Sequence, residues 1–286
     1  MDCSICNNPT KQIFQKYGYW ITECVNCQHR SVEMIPSPEH TSQIYQDEYF
    51  HNGAAGYSDY LGEEKLLTEH GKRYGTLLKQ HTTPGEMLDV GAAAGFLLKG
   101  FQESGWQGIG LEPNASMTSY GRDNLGLDME TGGLENYLSS RRFKLVSMIQ
   151  VIAHFANIRQ ALQKAADVTQ ENGFWLIESW NRESWVARIL GEHWHEYSPP
   201  SVLHWFSPSD LKNLVAQYGF SEIARGRPVK RLNGAHVKSL LVYKLQNSPL
   251  AWLRGGLKVI PDQMVIPYPT FDLFWMLFQK TEHSNS

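Results

Sequence analysis

The stretch Leu88-Asp89-Val90-Gly91-Ala92-Ala93-Ala94-Gly95-Phe96 sets the reading of the whole chain. A short apolar run from Met87 to Val90 stops in glycine and alanine, the pattern of a buried strand that ends in a tight turn. Small residues in that turn let a ligand approach the backbone, and the helix expected from Phe96 to Ser104 would open with unpaired N–H groups. Downstream, Gly108 to Leu111 reads as a second strand and Asn114 as the cap of another helix. Phe143 to Ile152 reads as a strand. Asn157 then starts a helix with Ile158, Ala161, Leu162, Ala165 and Ala166 on one face. Phe174 to Ile177 is again a strand. Ser207-Pro208 opens a helix whose apolar face is Leu211, Leu214, Val215 and Tyr218 and which Gly219 ends. Phe220 to Ala224 and Phe271 to Phe278 complete the strands, and upstream Ser58 to His81 carries a loose helical stripe. Strands alternating with helices predict an α/β fold, a doubly wound, mostly parallel open sheet covered on both faces.

A carboxylate follows the second strand at the distance expected for gripping a ribose. Glu112 lies 21 residues beyond Gly91, where a side chain can accept both ribose hydroxyls. A dinucleotide turn wants G-x-G-x-x-G, and counting from Gly91 it would place glycine where Ala93 and Phe96 stand. A nicotinamide-dependent oxidoreductase on a similar sheet is therefore the weaker reading.

The four cysteines sit at the other end of the chain, as Cys3-x2-Cys6 and Cys24-x2-Cys27 with 17 residues between the pairs. Two such knuckles can complete a tetrahedron of thiolates around zinc, and four protein ligands leave no open position, so the ion would be structural. A pair of disulfides is the alternative, weaker without a secretion signal. Gln12 to Thr22, rich in aromatic and branched residues, would form a hairpin between the knuckles.

Composition narrows the rest. The 286 residues carry 26 basic and 29 acidic side chains, a net charge of −3, with no basic tract of the kind that binds nucleic acid. Asp272 interrupts the apolar run from Phe271 to Phe278, and no run approaches the ~20 residues a spanning helix requires. The start, Met-Asp-Cys-Ser-Ile-Cys, has no signal-peptide pattern. A cytoplasmic protein is expected, with no nucleic-acid partner and no membrane span.

With Asp89, Gly91 and Gly95 in place and Ala93 at the middle glycine, the turn resembles the first motif of class I S-adenosylmethionine (SAM)-dependent methyltransferases. The likeness extends over nearly the whole chain and is strongest to a bacterial subgroup with an N-terminal four-cysteine ribbon. There an aromatic segment like Tyr45 to Phe50 links ribbon to catalytic domain, Val151-Ile152-Ala153-His154-Phe155 looks like the motif after the fourth strand, and Pro199 to Ser207 resembles a histidine-bearing later motif. The resemblance implies a seven-stranded sheet and three regions: a ribbon over 1–36, a linker with helices over 37–84, and a SAM-binding domain over 85–286. It also implies cofactor-binding roles for Asp89, Gly91, Ala93, Gly95, Phe96, Glu112, Pro113, Gly133, Leu134 and Gln150, with Glu112 on the ribose and Gly133-Leu134 at the adenine edge. The expected acceptor is a small molecule or a glycan or natural-product intermediate. A zinc-ribbon binding protein that has lost activity is the alternative from another class.

The stretch from Trp180 to Phe206 leaves the fifth strand at the ligand-binding end of the sheet. It holds Trp180, Trp185, Trp194 and Trp205 among the nine tryptophans, and reads as an aromatic lid over the substrate. Packing alone would account for Trp185. His204 and His154 are the candidate base or substrate-orienting residues. His193 and His195 alternate like a metal pair, but no third ligand accompanies them.

Overall fold

The computed structural model describes residues 2–37, 40–51, 60–234, 237–238, 242, 261 and 264–281. Ser58, the start of the expected helical stripe, lies outside them.

The amino-terminal strands are β1 (Thr10–Lys16), β2 (Tyr19–Cys24) and β3 (Arg30–Val32), followed by the short helices α1 (His40–Ile44) and α2 (Asp47–His51). Helix α3 (Glu64–Leu78) leads into the alternating part: β4 (Glu86–Val90), α4 (Phe96–Glu103), β5 (Gln107–Glu112), α5 (Ala115–Leu125), β6 (Asp128–Thr131), β7 (Phe143–Ile149), α6 (Ile158–Val168) and β8 (Thr169–Trp180). Then come α7 (Trp185–Leu190), β9 (His204–Trp205), α8 (Pro208–Ala216), β10 (Phe220–Gly226), β11 (Arg231–Asn233), β12 (Val265–Pro267) and β13 (Leu273–Lys280). The central sheet has seven strands in the order β10-β13-β8-β7-β4-β5-β6. Strands β6, β5, β4, β7 and β8 run parallel, while β13 is antiparallel to both β8 and β10.

Two-residue periodicity divides the core between the faces. Leu88, Val146 and Ile177 pack with Ile158, Leu162 and Ala165 of α6 and with Leu211 and Leu214 of α8. Their neighbours Met87, Leu145 and Leu176 pack with Leu98 and Phe101 of α4 and Tyr74 and Leu78 of α3. The caps form as expected: the Asn114 side chain accepts the Met117 N–H, and Ser207 with Asp210 makes a reciprocal capping box.

Several boundaries differ from the sequence reading. Strand β6 was missed, because four residues with only Met129 buried carry too little period to register. The strand expected to reach Ile152 stops at Ile149, where Gln150 takes φ +56° and a 3₁₀ turn runs from Ile152 to His154. Strand β8 is longer than its apolar centre, and β13 starts at Leu273.

The cysteine-bearing sheet is not a free-standing appendage. Its order is β1-β2-β3-β9, so a strand more than 170 residues further along the chain extends it. Arg159 of α6 donates to the Ser4 and Ile5 carbonyls at 2.6 and 2.9 Å, and Cys3, Ile5 and Cys24 join the same apolar cluster as α6. The 180–206 segment is a packed wall: Trp194, Tyr197 and Trp205 are buried against Ile21 and Val32 of the small sheet. Trp185 departs from the packing expectation, being 55% exposed, with a tilted ring contact to Phe271 among the described residues. Among the described residues no helix is long and apolar enough to cross a membrane.

Arg182 fastens the start of that wall to α8, with Nε and Nη2 donating to Asp210 Oδ2 at 3.0 and 2.8 Å in a buried pair. Arg182→Ala leaves the Asp210 carboxylate with the Ser207 N–H but without its charge partner and is expected to lower unfolding free energy by about 1.5–3 kcal/mol. Urea denaturation checks this; a loss below about 1 kcal/mol would assign the pair the value of an exposed one.

Candidate active site

A cavity of about 370 Å³ opens at the carboxyl ends of β4, β5, β7 and β8, where an open α/β sheet receives its ligands. Gly91 and Ala93 line it from the turn after β4, Glu112 and Pro113 from the end of β5, and Gly133 and Leu134 from the turn after β6. Gln150 and His154 enter after β7, Glu178 and Trp180 from β8, Tyr45 and Tyr49 from the amino-terminal helical segment, and His70 from α3. Glu196, Ser201 and Val202 of the aromatic wall close one side, and Lys230 another.

The turn after β4 is shaped by its small residues. Gly91 has φ +67°, and a Cβ there would lie 2.6 Å from Val151 Cγ2; Gly95, at φ +84°, caps α4 and has Leu127 against its open side. Only glycine meets both constraints. Ala93 also takes a left-handed conformation, at φ +48°, and its N–H donates to Glu112 Oε2 at 2.9 Å. Glu112 Oε1 accepts the Asn114 N–H at 2.9 Å. Burial raises the Glu112 pKa above the usual carboxylate range, and the two backbone donors oppose that rise. Each oxygen keeps a second lone pair for a ligand hydroxyl.

Asp89 lies beneath the turn and is almost wholly buried. Its Oδ1 accepts the Ser147 hydroxyl at 2.6 Å, while Oδ2 has no partner among the described residues. Burial pushes its pKa up to about 7, opposed by the Ser147 bond and reinforced by the Glu112 charge. A buried carboxylate oxygen left open beside a ligand turn fits a cofactor with an ammonium group and a ribose.

The sequence-derived set divides. Gly91, Ala93, Glu112, Pro113, Gly133, Leu134, Gln150 and His154 line the cavity, whereas Asp89, Gly95 and Phe96 support it from below. Phe96 is fully buried and stacks on Tyr60 with centroids 5.4 Å apart. His154 Nδ1 donates to the Ser201 carbonyl at 2.7 Å, which fixes the tautomer and leaves Nε2 as the ring's acceptor. Burial lowers its pKa, so the ring is neutral.

His204 does not line the cavity: Nε2 donates to the Phe155 carbonyl at 3.2 Å, and Nδ1 accepts from His29 Nε2 at 3.3 Å. Burial brings its pKa down to about 4. Both ring nitrogens are occupied in joining the small sheet to the body, because the strand that carries His204 is itself part of that sheet. His193 is exposed, with Nε2 3.7 Å from Glu192 Oε1.

Sequence reasoning missed a polar cluster at the cavity floor. Glu178 is fully buried; Oε2 accepts from His70 Nε2 at 3.1 Å and from the Tyr74 hydroxyl, and Oε1 from Gln150 Nε2 at 2.6 Å. Burial opposes the charge, but His70, Tyr74 and Gln150 together outweigh it and hold the carboxyl at about 2. The available signal was a lone acid ending the apolar run Phe174-Trp175-Leu176-Ile177.

In the four-cysteine cluster, Cys3–Cys27, Cys6–Cys24 and Cys6–Cys27 Sγ separations are 3.7, 3.4 and 3.4 Å, and all four sulfurs lie within 4.8 Å of one another. Backbone N–H groups of Ile5 and Asn26 point at Cys3 and Cys24 Sγ. None of the four is joined in a disulfide.

The family model described as a methyltransferase domain matches residues 64–224, and the chain belongs to that family. Among solved structures, a SAM-dependent methyltransferase from Thermotoga maritima shares the fold at a TM-score of 0.51 and 18% identity, over 78% of this chain and 92% of that one. Magnesium protoporphyrin IX methyltransferase from Synechocystis PCC 6803, solved with bound S-adenosylhomocysteine (SAH), does so at 0.53 and 11%, over 84% and 100%. These likenesses establish a class I methyltransferase fold. Among curated proteins, the ubiquinone biosynthesis O-methyltransferase of Rhodopseudomonas palustris strain HaA2 is 26% identical over 144 residues, 46% of this chain and 57% of that protein. The chain thus spans little more than half the length of that relative.

Asp89 generates a pH dependence whose sign is fixed. A carboxyl raised from 3.8 to about 7 on folding binds protons more tightly in the native state, so stability falls as pH rises through that interval. The advantage of Asp89→Asn over the wild type in cofactor-free protein should grow from about pH 4 to about pH 7 and level off above. Thermal melts across pH check this; a constant difference would place the carboxyl in water.

Proposed function

We propose that this protein transfers the methyl group of SAM to an oxygen, nitrogen or carbon nucleophile of a small molecule or a glycan or natural-product intermediate. The observation that carries the reading is Glu112: a buried carboxylate at the end of β5, facing the cavity and fastened to the Gly91–Gly95 turn through the Ala93 N–H. A carboxylate so placed accepts the hydroxyls of an adenosine ribose. Gly133 and Leu134 offer the adenine edge, and the Gly91–Gly95 turn, with Asp89 beneath it, faces the methionine part. Ala93 and Phe96, standing where a dinucleotide turn requires glycine, argue against a nicotinamide cofactor.

When bound, SAM supplies an electrophilic sulfonium methyl. The chain's part is to orient the acceptor, exclude water and take a proton where the nucleophile carries one. Tyr45 and Tyr49 supply aromatic surface suited to a cationic centre. The proton goes to His154 Nε2, whose tautomer the Ser201 carbonyl fixes. The names of the curated relatives favour oxygen as the acceptor atom.

The reading includes a structural zinc ion on Cys3, Cys6, Cys24 and Cys27. Sulfurs on a tetrahedron of ~2.3 Å zinc–sulfur bonds are about 3.8 Å apart, close to the observed separations. It also keeps the division into a ribbon (1–36), a connecting segment (37–84) and a SAM-binding domain (85–286), in the cytoplasm.

Two variants test the assignment together. Glu112→Ala is expected to weaken SAM binding roughly 10- to 100-fold in calorimetry, since hydrogen bonds to a charged acceptor are worth ~1.5–3 kcal/mol. His154→Gln should spare SAM affinity and cut transfer of radiolabelled methyl into a small-molecule extract by roughly 100-fold. Unchanged affinity in the first removes the ribose assignment, and an unchanged rate in the second makes His154 structural.

A further inference from the structure

Lys230 stands out among the cavity's polar groups because nothing in the cofactor reading uses it. It follows β10, at the entrance to β11, and its backbone is held on both sides: Arg73 Nη2 donates to the Val229 carbonyl at 3.0 Å, and the Tyr268 N–H to the Lys230 carbonyl at 3.0 Å. The side chain runs between two rings that meet edge to face, with Nζ 5.5 Å from the Trp180 centroid and 5.7 Å from that of Tyr268. Both Trp180 and Lys230 line the cavity. Aromatic faces on two sides of an ammonium fix its position while leaving its N–H donors to point elsewhere.

Those donors are largely unspent. Among the described residues, the polar partner of Lys230 Nζ is Gln150 Oε1, at a long 3.4 Å, and it makes no ion pair. Glu178, Glu196, Glu63 and Asp272 lie around it and favour its charge, and two of them have hydrogen-bond partners of their own. Glu178 is committed to His70, Tyr74 and Gln150, and Asp272 Oδ2 accepts the Trp194 indole N–H at 2.9 Å. Burial pushes Glu196 up to about 8, opposed by the Lys230 charge, and its Oε1 lies 3.4 Å from His195 Nε2. A half-buried ammonium fixed between two rings, with donors left over and facing the cavity, is placed to take a further oxygen acceptor from a ligand.

We propose that Lys230 binds an anionic oxygen of the acceptor, so that the substrate is a molecule carrying a carboxylate or comparable oxyanion on a flat unsaturated body that packs against Trp180. The inference rests on the methyltransferase reading for the word acceptor, but the oxyanion site stands on Lys230 and its rings alone. Lys230 is a specificity-determining residue here, remote from the Glu112 grip on the cofactor.

Benzoate and its neutral isostere benzamide are the probes, titrated calorimetrically into the full chain with and without saturating SAH. The wild type is expected to bind benzoate roughly tenfold or more tighter than benzamide, a charge-assisted contact in a partly desolvated site. Lys230→Met should abolish that preference and Lys230→Arg should retain it, both variants melting cooperatively. Equal affinity of the wild type for the two probes, no binding of benzoate, or a preference that survives in Lys230→Met would each overturn the site. Failure of the wild type to bind SAH would instead strike the methyltransferase reading, and benzoate binding in the SAH-free titration would still report on Lys230.

Discussion

The carboxylate of Glu112 receives two backbone N–H groups, one from Ala93 in the turn after β4 and one from Asn114 after β5. That pair of bonds joins the carboxyl ends of two neighbouring parallel strands and fixes the left-handed path of the turn. Without it the N–H of Ala93 would lack a partner in a buried turn, at a cost of about 1–3 kcal/mol. Gly91 and Gly95 permit the turn, but Glu112 determines which way its amides face. The same carboxylate borders the cavity, so the element that holds the loop also presents itself to the ligand. Asn114 continues the chain of contacts, capping α5 through Oδ1 and donating to the Tyr45 carbonyl and Asp47. The aromatic segment that borders the cavity is thereby tied to the end of β5.

The cysteine-bearing sheet is coupled to this site through shared structure. Strand β9 pairs with β3, and the segment that leads to β9 supplies Glu196, Ser201 and Val202 to the cavity wall. Ser201 in turn sets the His154 tautomer. A change at the cysteine cluster can therefore reach the proposed base through one strand pairing and one hydrogen bond. The His29–His204 contact sits at that junction, which explains a buried histidine pair in a place where neither ring meets the cavity.

Much of the sheet was legible in the sequence, since buried parallel strands are continuous apolar runs and their helices carry apolar faces and caps at regular spacing. Met87 to Val90, the Asn114 and Asn157 caps and the Ser207-Pro208 start needed no tertiary information. Strand β6 did, because an edge strand of four residues pairs through its backbone and shows no pattern in its side chains. The cofactor turn was legible because steric demands select glycine. The acceptor end was not. Glu178, His70 and Lys230 come from β8, α3 and the segment before β11 and meet only in three dimensions. His204 misled for the same reason: a histidine near aromatic residues looks alike in sequence whether it faces a ligand or bridges two sheets.

The central claim is that the Glu112-anchored turn holds SAM above a body braced by a four-thiolate zinc site. Native mass spectrometry of the purified chain, incubated with equal concentrations of SAH and NAD, tests both parts in one spectrum. The account predicts a dominant species carrying one zinc ion and one SAH. A chain that retains NAD in place of SAH, or binds SAH while carrying no metal, would contradict it.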